Sequence, residues 1–67
     1  MKFVIVHKCF SNPSYAAPVA WHWSDRRDEA HVYDTADGDN PQIKLAYFRG
    51  VATHQGLNSR SVKIDAV

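Results

Sequence analysis

Residues 2–10, KFVIVHKCF, constrain the fold of this chain more than any other stretch. Phe3, Val4, Ile5 and Val6 are aromatic or β-branched, shapes that pack well on a pleated surface and lose rotamer freedom in a helix. The run is too short for an ordinary helix, and no capping residue precedes it. Its apolar residues follow one another without polar alternation. A short continuous apolar run of this kind is expected to be a strand covered on both faces, and therefore a central one. The later elements are expected to pack beside it.

The next segments supply candidates. Ser11-Asn12-Pro13-Ser14 is turn chemistry, and Tyr15 to Pro18 continues extended because a residue before proline avoids the helical region. Val19-Ala20-Trp21-His22-Trp23 alternates, with Val19, Trp21 and Trp23 on one face and Ala20 and His22 on the other, so a second strand is expected there. Ser24 to Glu29 admits two readings. Ser24 caps a helix running to about Ala36, or the segment is a hairpin loop before a strand at Ala30 to Asp34. The helix would carry only Ala30, Tyr33 and Ala36 on its apolar stripe, which favours the strand.

Thr35 to Pro41, TADGDNP, is the strongest break in the chain. Gln42 to Phe48 alternates again, Ile43, Leu45 and Tyr47 against Lys44, Ala46 and Phe48. Asn40 as a cap with Pro41 at the first helical position gives a helical alternative ending near Gly50. The alternation favours a strand, with Gly50 as a bulge that lets it continue through Val51 to Thr53. His54 to Ser59 is expected to be a loop, and Ser61 to Val67 a last strand with Val62, Ile64 and Ala66 inward. The expected fold is therefore all-β, a small five-stranded antiparallel meander forming a partly open barrel or a twisted sheet. The alternative is α+β, with one helix at 25–36 or 41–49 packed on a three- or four-stranded sheet.

Sixty-seven residues make one small domain whose core is narrow, so self-association or a partner is expected. The lone Cys9 excludes an internal disulfide framework and points to a reducing, cytoplasmic setting. Val4 to Val6 is too brief for a signal-peptide core, and no stretch approaches the ~20 apolar residues of a membrane span. Charge is unevenly spread. Residues 25–39 hold six acids and two bases, net −4, while the remainder holds six bases and one acid, net +5. A dipolar surface follows if these charges are not merely solvated in turns.

Several chemistries are weighed against this background. His7 and Cys9 share a strand face, and His22, His31 and His54 add nitrogen donors, but no paired metal-ligand spacing occurs; no metal or other cofactor is expected. Asp34, Asp37, Asp39 and Asn40 surround Gly38 without the calcium-hand pattern, and a solvated turn is the simpler reading. The chain has no nucleophile-elbow motif, no glycine-rich phosphate loop and little interior for a ligand pocket, so it is not expected to be an enzyme. A single-stranded nucleic-acid binder is the rival function, with Trp21, Trp23, Tyr33, Tyr47 and Phe48 stacking bases and Lys44, Arg49, Arg60 and Lys63 meeting phosphates. A sequence pI of about 8.0 is low for that role.

The preferred expectation is a protein-binding module, because Trp, Tyr and Arg are enriched among interface anchors. His22, Arg26, Arg27, Tyr33, Phe48 and Arg49 are the candidate binding residues. Open sheet edges are a second possible contact, and a homodimer is one possible assembly. Inhibitor, adaptor and accessory subunit are the roles that fit, a phage-encoded inhibitor of a host protein among them. Steric blocking by Arg26, Arg27 and neighbouring aromatics is the expected mechanism.

Overall fold

The computed structural model describes residues 1–8, 12–18 and 22–67. The apolar run forms strand β1, Lys2–His7, and Phe3 through His7 are all buried. It is central, as its composition demands. Strand β5, Val62–Ala66, lies antiparallel along one edge of β1, with Ile5 opposite Ile64 and His7 opposite Val62. The other edge is shared end to end. Strand β2, Ser14–Ala16, pairs with Val6 and His7, and β4, Tyr33–Asp34, pairs with Lys2 and Phe3. Between them the His31 amide bonds to the Ala16 carbonyl at 2.9 Å. Strand β3, Trp23–Ser24, extends the sheet beyond β2.

One helix, α1, Pro41–His54, covers one face of this sheet. Local chemistry fixes both of its ends. The Asn40 side chain accepts from the amides of Gln42 and Ile43, satisfying two donors of the first turn, and Pro41 occupies the position where a missing N–H does no harm. At the other end Gly56 adopts φ +78, a left-handed conformation that suits glycine. Its amide bonds to Thr53 O at 3.1 Å and that of Leu57 to Ala52 O at 2.8 Å. These two bonds close a Schellman motif, and Leu57 completes it by packing on the core.

The core divides at the sheet. On the helix side Phe3, Ile5, Ala16 and Val62 meet Phe48 and Ala52, with Trp23, Tyr33, Leu45, Leu57 and Ile64 around them. On the reverse side Val4 and Val6 are covered by Tyr15 and Ala30. Both faces of β1 are therefore dry, which explains its unbroken apolar sequence.

The architecture is α+β with a five-stranded antiparallel sheet, which corrects the all-β meander. The helical alternative at 41–49 is the one that fits, extended to His54. Residues 42–48 are not a strand, and Gly50 is a helical residue and not a bulge. Three reinforcing signals win over the alternation there: Asn40, Pro41 and the Gly56 stop. The strand expected at Ala30 to Asp34 shrinks to two residues between 3-10 turns at Arg27–Glu29 and Thr35–Asp37. The strand expected at 19–23 is described only from its end, as residues 19–21 lie outside the described set. The last strand stands at Val62–Ala66 with Val62 and Ile64 on the core, whereas Ala66, expected inward, is exposed and Ser61 belongs to the preceding 3-10 turn.

Candidate functional site

The six residues singled out by sequence do not form one surface. His22 is exposed beside β3. Arg26 pairs with Asp28 on the adjacent turn, Nη2 to Oδ2 at 3.0 Å, and that hydrogen bond raises its pKa above the ordinary value. Arg27 crosses the reverse side of the sheet. Its Nη1 reaches Asp65 Oδ2 at 3.0 Å, and its guanidinium carbon sits 5.6 Å from the centre of the Tyr15 ring. Tyr33 is half-buried between Phe3 and Phe48, with ring centroids at 5.5 and 6.3 Å, and burial pushes its phenol pKa upward. Phe48 is buried, which corrects its expected place at the surface. On a helix it falls beside Val51 and Ala52, toward the sheet, where strand alternation would have turned it outward.

Arg49 and Arg27 share a different task. The bonds from Lys8 N to Ser61 O and from Val67 N to Lys2 O set the phase of the β1–β5 ladder, so Val62, Ile64 and Ala66 turn their backbone groups away from β1. Among the described residues no strand pairs with that outer edge. Side chains cover it instead. Arg49 donates from Nε and Nη2 to Val62 O at 3.3 and 3.2 Å, and Arg27 donates from Nη2 to Ala66 O at 3.4 Å. The Val62 amide is held by Ser59 O. Two guanidiniums thus occupy carbonyls, about 13 Å apart along the strand, that would otherwise invite another chain. The β5 edge is guarded against strand addition.

The surface that stands open is the outer face of α1. At 3.6 residues per turn, Ile43, Ala46, Tyr47 and Gly50 fall on one stripe opposite Phe48, Val51 and Ala52. All four are exposed, Ile43 by 67% and Tyr47 by 53%. The helix carries only two charges, Lys44 and Arg49, and both sit on its flanks. Lys44 leans over the Tyr33 ring, with Nζ 5.0 Å from its centre, and approaches Asp39 at 3.9 Å. Gly50 meets nothing within 4 Å of where a Cβ would stand, so neither packing nor an unusual dihedral within this chain calls for glycine there. Gln42, Thr53 and His54 are exposed on the same outer half of the helix, so the apolar stripe is narrow and bordered by polar side chains.

Beside this face, Arg49, Ser59, Arg60 and Lys63 line an open cleft of about 250 Å³. It gathers three of the four cations proposed as phosphate contacts and leaves out Lys44. The aromatic side of the nucleic-acid reading fares differently. Trp23, Tyr33 and Phe48 pack on or in the core, and Trp21 lies outside the described residues. Tyr47 is exposed, but across the helix from Arg49. The acidic loop serves the backbone: Asp34 accepts from Ala36 N, Asp39 from Asp34 N, and Asn40 caps α1. Among the described residues no three His, Cys, Asp or Glu side chains cluster as a metal site, and no helix is long and apolar enough to cross a membrane.

The sequence held one signal for the outer face: α1 has few charges and an interior glycine. It was missed because apolar residues on both sides of a helix can mimic strand alternation. Comparison of the chain with known families, with characterised proteins and with solved structures returned no match.

Proposed function

We propose that this protein is a non-enzymatic binding module that docks on another protein through the outer face of α1. The observation that carries the reading is an uncharged, exposed helix stripe with anchors at Ile43, Ala46, Tyr47 and Gly50. That is the i, i+3, i+4, i+7 spacing with which a helix seats in an apolar groove. Ile43 and Tyr47 would supply the buried anchor area, and the small crest at Ala46 and Gly50 lets a partner approach the helix backbone. Occupying the partner's groove is a steric mechanism, suited to an inhibitor, adaptor or accessory subunit, a phage-encoded inhibitor of a host protein included. A lone thiol supports placing this module in the reducing cytoplasm.

This moves the docking surface away from Arg26 and Arg27. Arg27 braces β5 and Tyr15, so its loss would disturb the sheet as well as any interface. The experiment is capture from the native host with the wild-type chain and with Ile43→Lys and Tyr47→Lys. The variants should keep their fold and lose the captured partner. Capture at wild-type level by both variants would refute the reading. Light scattering tests the occupant: a monomer supports a different protein, and a dimer abolished by Tyr47→Lys would identify a second copy instead.

A further inference from the structure

The cleft beside α1 has a charge imbalance that the docking face does not explain. Arg49 enters it from the helix, Ser59 and Arg60 from the 3-10 turn Ser59–Ser61, and Lys63 from β5. Among the described residues none of these three cations forms an ion pair, whereas Arg26, Arg27 and Lys44 each meet a carboxylate. The sequence explains why. Six of the seven acids fall within residues 25–39, and the seventh, Asp65, is held by Arg27. Three positive charges therefore line one open cleft with no carboxylate to balance them, a repulsion that a bound anion would relieve.

The lining is also partly fixed before any ligand arrives. Two N–H groups of Arg49 are bonded to Val62 O, which orients the guanidinium plane and leaves three of its five donors. The Arg60 amide is capped by Asn58 Oδ1 at 3.0 Å, and Lys63 sits in the β5 ladder opposite Val6. A guanidinium fork, a second guanidinium, an ammonium and a hydroxyl make a lining dominated by donors. Such a set matches a tetrahedral oxyanion of charge near −2 with three acceptor oxygens better than a single carboxylate.

We propose that the cleft of Arg49, Ser59, Arg60 and Lys63 binds a phosphoryl group, carried by a phosphorylated side chain of the protein that docks on α1. The phosphoryl site stands on the cleft alone, and its assignment to that partner rests on the docking proposed above. A nucleic-acid backbone is disfavoured as the source. It would present a run of phosphates to one short cleft, and the exposed Tyr47 ring lies on the far flank of the helix.

Two-dimensional amide NMR tests the site with inorganic phosphate as the probe, against chloride at matched ionic strength. Saturating shifts are expected at Ser59, Arg60, Ser61 and Lys63. In Arg60→Glu/Lys63→Glu the phosphate affinity should fall by at least about tenfold while the rest of the spectrum is kept. Equal shifts with chloride, or undiminished phosphate binding by the variant, would overturn the site. The source is tested separately by treating the host extract with phosphatase before capture, which should abolish retention of the partner. Full retention after that treatment would overturn the phosphorylated partner, and tighter binding of a thymidine decanucleotide than of phosphate at the same amides would assign the cleft to nucleic acid. Tyr47→Lys separates the two readings, since it should lose the partner and still show the phosphate shifts.

Discussion

The two sides of α1 are made of the same kind of residue and meet opposite fates. Toward the sheet, Leu45, Phe48 and Ala52 close over Phe3, Ile5 and Val62, and Val51 is buried. Away from it, Ile43, Ala46, Tyr47 and Gly50 stand in solvent. A surface helix of a self-sufficient domain normally carries charge on its outer side. This one does not, and its two charged residues are drawn aside, Lys44 to Tyr33 and Asp39, Arg49 to the β5 edge. Burial by the sheet accounts for the inner side. The outer side is left exposed, and the docking proposed above is the use we assign to it.

Substitutions should separate the two sides by the property each one controls. The largest effect belongs to the inner side. Phe48→Ala removes a ring packed edge-on against Trp23 and close to Tyr33, and should destabilise the protein by about 3–5 kcal/mol in urea unfolding. In so small a domain that is enough to leave it largely unfolded at room temperature.

A pH dependence comes next, and it too belongs to the covered side. His7 is buried on the helix face of β1, its ring 5.5 Å from that of Trp23, and burial lowers its pKa below the ordinary 6.5. The folded state therefore binds a proton less readily than the unfolded chain. Stability should be full above pH 6.5 and decline as the pH falls from there toward the lowered folded value. Urea midpoints at successive pH values should show this slope in the wild type and a shallower one in His7→Gln. An identical slope in the variant would remove His7 as its source.

Gly50→Ala sharpens the comparison most, because it should move stability and binding in opposite directions. An exposed glycine inside a helix is about 1 kcal/mol less favourable than alanine, and the position has open space for a methyl group. The variant should melt higher than the wild type. If the crest at Ala46 and Gly50 lies against a partner's backbone, the same methyl group should weaken capture. A gain in both properties would mean that the glycine has no interface role.

How much of this was legible in the sequence follows from the same contrast. The central strand was readable because Phe3 to Val6 has only one good use, a strand covered twice. The last strand was readable because Val62, Lys63, Ile64 and Asp65 alternate cleanly. The helix was not, although Asn40 and Pro41 announced its start. Ile43, Leu45 and Tyr47 alternate with Ala46 and Phe48 as they would in a strand, and an outer face without charge hides the 3.6-residue period. Gly56 falls in a stretch that reads as a loop, yet it is the stop of the helix.

The candidate site was illegible for related reasons. Arg26 and Arg27 are adjacent in sequence, but one pairs with its own turn and the other reaches across the sheet to Asp65. Arg49, Arg60 and Lys63 are scattered in sequence and meet only because α1 and β5 lie side by side. Tertiary placement of this kind leaves no local trace.

The smallest expected change in stability carries the central claim. Ile43→Lys replaces an exposed side chain and should shift the unfolding free energy by no more than about 0.5 kcal/mol, while Tyr47→Lys also gives up an edge-on contact with the Phe48 ring at 5.1 Å and should cost about 0.5–1.5 kcal/mol. Quantitative mass spectrometry of what each chain captures from its native host then tests the outer face directly. Loss of the captured partner by both variants, with the fold retained, is the predicted result. Capture of the same partner in the same amount by wild type and variants would contradict it.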